Sequence, residues 1–304
     1  MIRSVTVVNH LGESLKMDLA RPQTSGFYIK SIEGLGPVNA NINITERSTI
    51  DGGYFSSAHA NSRNIVLTLG FWFEKGVEDM RHESYRYFPL KRKISLIIET
   101  DKRTCEAQGY VESNEPNIFS DQETTQISIL CPDPYLYAYG GGSTNITVLS
   151  GIVPMFEFPF SNESLTDDMI VFSDDSDNTR RDVRNDGDVD VGVVIRIRAS
   201  GEVTNPTILN STTGESITID TARLKTLTGS GLVADDEIVI STIKGAKTAN
   251  IVRDGVYTNI LNCLDRHTDW ISLATGINTF VYVAVSGVDN LEFQIENKIV
   301  YVGV

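Results

Sequence analysis

The sequence predicts a mainly β protein of two units: an amino-terminal, barrel-like β domain carrying one helix, followed by a β-sandwich. Three observations carry that prediction. Apolar and polar residues alternate with period two through much of the chain, the pattern of strands with one buried face. One segment, Val77–Tyr87, lacks Gly and Pro and opens with acidic residues, as a helix does. A Pro- and Gly-rich passage, CPDPYLYAYGGGSTN, divides the chain near its middle.

In the first unit, Val38, Ala40, Ile42 and Ile44 fall on one face, with Asn39, Asn41, Asn43 and Thr45 opposite. Across Ile65–Phe73, one face presents Ile65, Leu67, Leu69, Phe71 and Phe73; the other presents Val66, Thr68, Gly70 and Trp72. Further strands are expected across Ile94–Glu99 and Thr125–Cys131. The helix between them places Glu78 and Asp79 at the positive end of its dipole. Its inward stripe would be Val77, Met80, Ser84 and Tyr87, and Pro89 ends it. The resulting order, β–β–α–β–β, describes a small α+β or barrel-like unit. The basic run Lys91, Arg92 and Lys93 reads as protection of a strand edge. Pro132 and Pro134 then break the pattern and Gly140–Gly142 supply a joint. This puts the units at residues 1–139 and 145–304.

The second unit reads as almost purely β. Val191, Val193, Ile195 and Ile197 alternate with Gly192, Val194, Arg196 and Arg198, and Ile217 and Ile219 with Thr218 and Asp220. Phe280–Val285 is apolar on both faces, as in a central strand covered by two layers. Leu291, Phe293 and Ile295 alternate with Glu292, Gln294 and Glu296. Short strands with turn signals at this density favour a sandwich.

A net charge of −14 argues against nucleic acid as a bound ligand, because phosphate recognition needs clustered Lys and Arg. The acidity is uneven: residues 1–150 carry 14 basic and 17 acidic side chains, residues 151–304 carry 12 and 23. No apolar run approaches the length of a membrane span, and the first residues show no signal-peptide core. Three cysteines without C-x-x-C spacing, Cys105, Cys131 and Cys263, point to a reducing compartment during synthesis and not to a disulfide framework.

No catalytic, cofactor or metal site is expected. The four histidines lack H-x-x-x-H spacing, and no nucleophile elbow, Walker loop or G-x-G-x-x-G occurs. Asp186, Asp188 and Asp190, within Ser173–Gly192, have the spacing that opens an EF-hand loop. Val191 and Ile197 occupy the positions where that loop needs Gly and a bidentate Glu, so a polar turn is the better reading. An alternative function remains open: Tyr257, Trp270 and Tyr282 are candidate stacking platforms for sugar, which would make the second unit a carbohydrate-binding module.

Five strings, in order, resemble the distal tail proteins of long-tailed phages with non-contractile tails, or of a related prophage. Tyr28–Phe73 has the family's Gly-Leu turn, extended strand, Asp-Gly loop and Arg-x-Ile-x-Leu-x-Leu, here Arg63 to Leu69. Arg81–Phe119 and Ile127–Ala138 follow, the latter with the Cys-Pro-Asp-Pro-Tyr close. Arg184–Ile217 opens on Asn-x-Gly-Asp, and Trp270–Gly287 contains Leu-x-x-Gly-x-Asn. Departures are small: Asp51 is followed by two glycines, and Leu136 stands where an aromatic is common.

The resemblance implies a galectin-like sandwich for the second unit and a structural task without catalysis. Six copies would form a ring at the distal end of a phage tail, through their amino-terminal domains. The ring would join the tail tube protein to the tail-associated tip protein, with the outer sandwiches holding receptor-binding proteins. DNA would pass through without being specifically bound, in a virion component made in the host cytoplasm. Asp51, Gly52, Arg63 and Trp72 are the assembly candidates that the matching strings bring forward.

Overall fold

Strands dominate the computed structural model, which describes residues 1–46, 51–72, 76–119, 122–141, 143–150, 152–154, 173–175 and 179–304. Phe73, Gly142 and residues 176–178 of the acidic stretch lie outside the described residues. The chain divides into one unit of Met1–Ser143 with Val300–Val304, and a second of Thr144–Ile299.

The first unit contains β1 (Ile2–Val8), β2 (Ser14–Asp18), α1 (Pro22–Ser25), β3 (Phe27–Glu33), β4 (Ala40–Glu46) and β5 (Gly53–Ala60). It continues with β6 (Arg63–Phe71), α2 (Val77–Tyr87), β7 (Lys93–Thr100), β8 (Thr104–Asn117), β9 (Thr124–Cys131) and β10 (Leu136–Ala138). Its main sheet runs β2-β1-β7-β8-β9-β6-β3, antiparallel at every step. The sheet curls until its edge strands β2 and β3 approach each other, with α1 against both. That curl is the barrel-like character anticipated from the sequence. Val5, Val7, Phe27, Ile65, Leu67, Leu69, Leu96, Ile98, Ile127 and Ile129 fill its inside.

Helix α2 buries Met80 and Ser84, and Val77 and Tyr87 pack partly against the same core. The sequence pattern did not disclose β1, β2, β3, β5 or β8. β8 contains Gly109, Glu112, Glu115 and Pro116, residues with weak strand preference, but β7 and β9 supply both of its ladders, and such pairing overrides propensity. β7 is likewise an interior strand, so Lys91–Lys93 guards no edge. Lys91 instead takes a left-handed φ of 62° in the turn before β7 and donates its N–H to Val111 O at 2.9 Å.

The second unit contains β11 (Thr144–Ser150), β12 (Ile152–Pro154), β13 (Ser173–Asp175), β14 (Arg180–Asn185), β15 (Val191–Gly192), β16 (Val194–Ala199) and β17 (Thr207–Asn210). After β18 (Glu215–Thr218) and α3 (Thr221–Thr228) come β19 (Glu237–Ser241), β20 (Thr248–Arg253), β21 (Val256–Asn259), β22 (Ser272–Leu273), β23 (Gly276–Val283) and β24 (Leu291–Lys298). A six-stranded sheet, β11-β24-β16-β19-β20-β21, faces a four-stranded one, β14-β23-β17-β18. Ile195, Ile197, Ile238, Ile240, Phe280, Phe293 and Ile295 form the shared core. Tyr282 of β23 and Phe293 of β24 meet across it with ring centroids 4.9 Å apart. This is the expected sandwich.

Three details differ from expectation. Helix α3 interrupts the β pattern: the Asp220 carboxylate accepts from Ala222 N and Arg223 N, each at 3.0 Å, and Leu224 is buried beneath. The outer side of Phe280–Val285 is open, with Val283 at the end of β23 50% and Val285 beyond it 75% exposed, so this segment is covered on one side only. Finally, the division at residues 145–304 does not hold at its end. A closing strand, Val300–Tyr301, pairs antiparallel with β10, so Val300–Val304 belongs to the first unit.

Two of the resembling motifs are loop-pinning devices in the second unit. Asn278 is fully buried; its Nδ2 donates to Ala274 O at 2.7 Å and its Oδ1 accepts from Ala274 N at 3.0 Å. Gly276 takes the left-handed φ of 88° that the turn requires. Asn185, also buried, donates to Val189 O at 2.9 Å and Leu273 O at 3.2 Å while accepting from Gly187 N at 3.0 Å. Asn-x-Gly-Asp and Leu-x-x-Gly-x-Asn therefore hold each other. Asp186 and Asp190 do not converge: Asp186 takes Arg184 at 2.5 Å and Asp190 caps Thr275 N at 3.1 Å.

Candidate assembly surface

Among the described residues, strands β4 and β5 pair with each other alone, as a separate two-stranded ribbon. The register sets Ala40 opposite Ala60, Ile42 opposite Ala58 and Ile44 opposite Phe55, with a bulge between Asn43 and Ile44. Directly opposed residues project to the same side. One face of the ribbon is therefore Ala40, Ile42, Ile44, Phe55, Ala58 and Ala60. The other carries Asn41, Asn43, Thr45, Tyr54, Ser57 and His59, with Asn43 Nδ2 donating to Ser57 Oγ at 2.9 Å. Every residue of both strands is exposed.

The alternation over Val38–Thr45 predicts a strand with its apolar face buried. The strand forms, but Ile42 is 57%, Ile44 61% and Phe55 68% exposed. The pattern reports which side is apolar; it carries no information on whether another segment reaches that side. An isolated two-stranded ribbon is marginal in water, and uncovered apolar ribbon of this kind marks an interaction surface.

The assembly candidates separate when placed on this geometry. Asp51 and Gly52 are exposed at the tip of the ribbon, beside β5, where Gly52 takes a φ of 89°. Arg63, an assembly-motif candidate, stands at the root and is 1% exposed, so its side chain acts from inside the unit. Its Nε donates to Pro134 O at 2.8 Å, Nη1 to Gly34 O at 2.5 Å and Gly36 O at 2.7 Å, and Nη2 to Val302 O at 2.8 Å. Burial pulls the guanidinium below its ordinary pKa, while Cys131 and Asp133 oppose that shift; an arginine stays charged regardless. Beside it a cavity of about 480 Å³ is lined by Gly34, Gly36, Asn39, Asn61 and Asn64 among others. Trp72, 36% exposed, lies about 30 Å from Arg63 by strand geometry, its N–H donated to Gly26 O at 2.8 Å.

The three rings considered as a sugar platform do not come together. Tyr282 is 1% exposed, inside the sandwich core, so it cannot stack on a ligand. Tyr257 is 72% exposed on the edge strand β21. Trp270 packs partly against the core, with Lys247 Nζ 5.1 Å from its ring centroid.

No protein-family profile matches the sequence, and no curated protein does. Solved structures do match. The SPP1 Dit protein, described as a paradigm of the hub adsorption apparatus in phages infecting Gram-positive bacteria, aligns over 97% of this chain and 99% of its own, with 13% identity and a TM-score of 0.64. Chains of the phage P2 baseplate in its activated conformation, with calcium or strontium, align over 98% of this chain and 99% of theirs at 14% identity, with TM-scores of 0.43 and 0.42. Across nearly its whole length, this chain has the fold of the SPP1 Dit protein.

Proposed function

We propose that this chain is a structural hub at the distal end of a phage tail, working by assembly and carrying no catalytic step. Copies close into a six-membered ring through the first unit, and the ring links the tail tube protein to the tip protein. The second unit carries the host-recognition apparatus. The observation that bears most weight is the amphipathic ribbon β4–β5, whose apolar face finds no cover among the described residues of its own unit. A head-to-tail contact that closes by rotation generates a ring, and a projecting ribbon laid on a neighbouring copy is such a contact. The fold shared with the SPP1 Dit protein supports the same reading.

Labelling of virions with an antibody against the chain tests it: signal at the tail tip is expected, and signal on the head or along the tube would sink the proposal. Particle mass near six times the 33.5 kDa protomer, measured with and without tail-tube protein, tests the ring. Carbohydrate attachment through the second unit is the weaker reading, since Tyr282 is buried in the core and Tyr257 and Trp270 lack a third platform.

A further inference from the structure

Arg63 gathers carbonyls from three segments far apart in the chain. Gly34 and Gly36 belong to the turn that launches β4, Pro134 to the passage leaving β9, and Val302 to the segment after the closing strand. The launching turn is tightly set. Gly34 takes a φ of 81°, and a Cβ there would stand 1.9 Å from Asn64 O. The segment 302–304 lies directly on that turn. Val304 N donates to Leu35 O at 3.1 Å, and a Cβ on Gly303 would sit 3.1 Å from Leu35 O and 3.3 Å from Gly36 Cα. The approach is held further back by the Arg103 guanidinium, 4.4 Å above the Tyr301 ring. At the ribbon's root, Asn61 N donates to Asn39 O at 3.1 Å.

We propose that Arg63 is a positioning residue for the β4–β5 ribbon, and that Val302–Val304 form a strap whose seat on that guanidinium fixes the ribbon's exit from the sheet. A planar guanidinium can bond three segments at once, where a lysine ammonium cannot hold the same fork. Seated, the strap closes the turn from one side while Asn64 closes it from the other. Unseated, it leaves Leu35 O without its donor and frees one arm of Arg63, and the launching turn loses its set. The consequence for ring formation rests on the assembly reading above; the positioning itself does not.

Hydrogen exchange of the full chain, compared with a chain ending at Tyr301, with Gly303→Val and with Arg63→Lys, tests this. Amides across Gly36–Asn41 and at Asn61 should exchange about tenfold faster or more in each variant, with Ile65–Leu69 unchanged. Rates at the ribbon root within twofold of wild type in the shortened chain and in Arg63→Lys would overturn the proposal. So would an even rise over the whole first unit, which would make the strap a general part of the fold. Oligomer size is read on the same samples. A wild-type chain that never assembles refutes the ring reading and leaves the exchange comparison to decide the strap.

Discussion

Replacing Ile44 and Phe55 together by Ser removes the centre of the ribbon's apolar face, because the two are cross-strand partners. They are 61% and 68% exposed in the protomer. Full burial of such a side chain stabilises by about 1.5–3 kcal/mol, so covering the exposed remainder contributes roughly 1–2 kcal/mol each. The pair is therefore expected to cost about 2–4 kcal/mol per contact, a loss of roughly 30- to 1,000-fold in affinity. The protomer should barely change, since surface substitutions away from packed features stay within about 0.5 kcal/mol apiece. Sedimentation velocity over a range of concentrations reads the assembly, and thermal melting of the dilute protomer reads the fold. An association constant unchanged within threefold would refute the assignment of this face. A large drop in protomer melting temperature would refute the premise that the face is uncovered.

Other outcomes follow from the two cores and the ion pairs. The Asp236 carboxylate, 1% exposed, holds Arg253 through contacts of 2.7 and 2.6 Å. Asp236→Ala should cost the second unit roughly 1–3 kcal/mol by removing the carboxylate from Arg253, which keeps Ser230 and Gly231, and the acceptor from Val233 N, seen as a lower urea midpoint for the second unit with the first unit's transition in place. In the first unit, hydrogen bonds from Arg86 and Asn9 hold Glu13 below the usual carboxylate range. Ser4 and Lys16 do so for Glu99, and the amino terminus and Arg3 for Asp101. Groups depressed in the folded state contribute fully above their unfolded values, near 4, and the contribution disappears as pH falls through the folded ones. The first unit's melting temperature should therefore drop below about pH 4, more gently in Glu13→Gln; a rise on acidification would contradict this. Cys105, Cys131 and Cys263 are buried thiols outside any disulfide, and burial pushes the Cys131 thiol up to about 11. Alkylation at mildly alkaline pH should label none of them in the native protein and all of them in denaturant, by intact mass.

Strands and the helix whose burial is local are legible in the amino-acid pattern alone. The alternation of Ile65–Phe71, Val193–Ile197 and Leu291–Ile295 has its apolar side inside, and the Met80–Ser84 side of Val77–Tyr87 faces the core. Asn185 and Asn278 were legible as motif positions, and their pinning bonds lie mostly within a few residues. What tertiary structure decided is which apolar faces are covered and which polar groups are enclosed. Ala40–Glu46 and Phe280–Val285 carry patterns read as buried, yet one ribbon and one strand face keep theirs in solvent. Tyr257 and Tyr282 look alike in the sequence; one lies on a sheet edge and the other against Phe293. Arg63 stands in the sequence as a motif position and nothing more, because its partners are backbone carbonyls at Gly34, Pro134 and Val302, which leave no side-chain signature. Period and composition record what a segment could bury, and coverage is settled by segments distant in the chain.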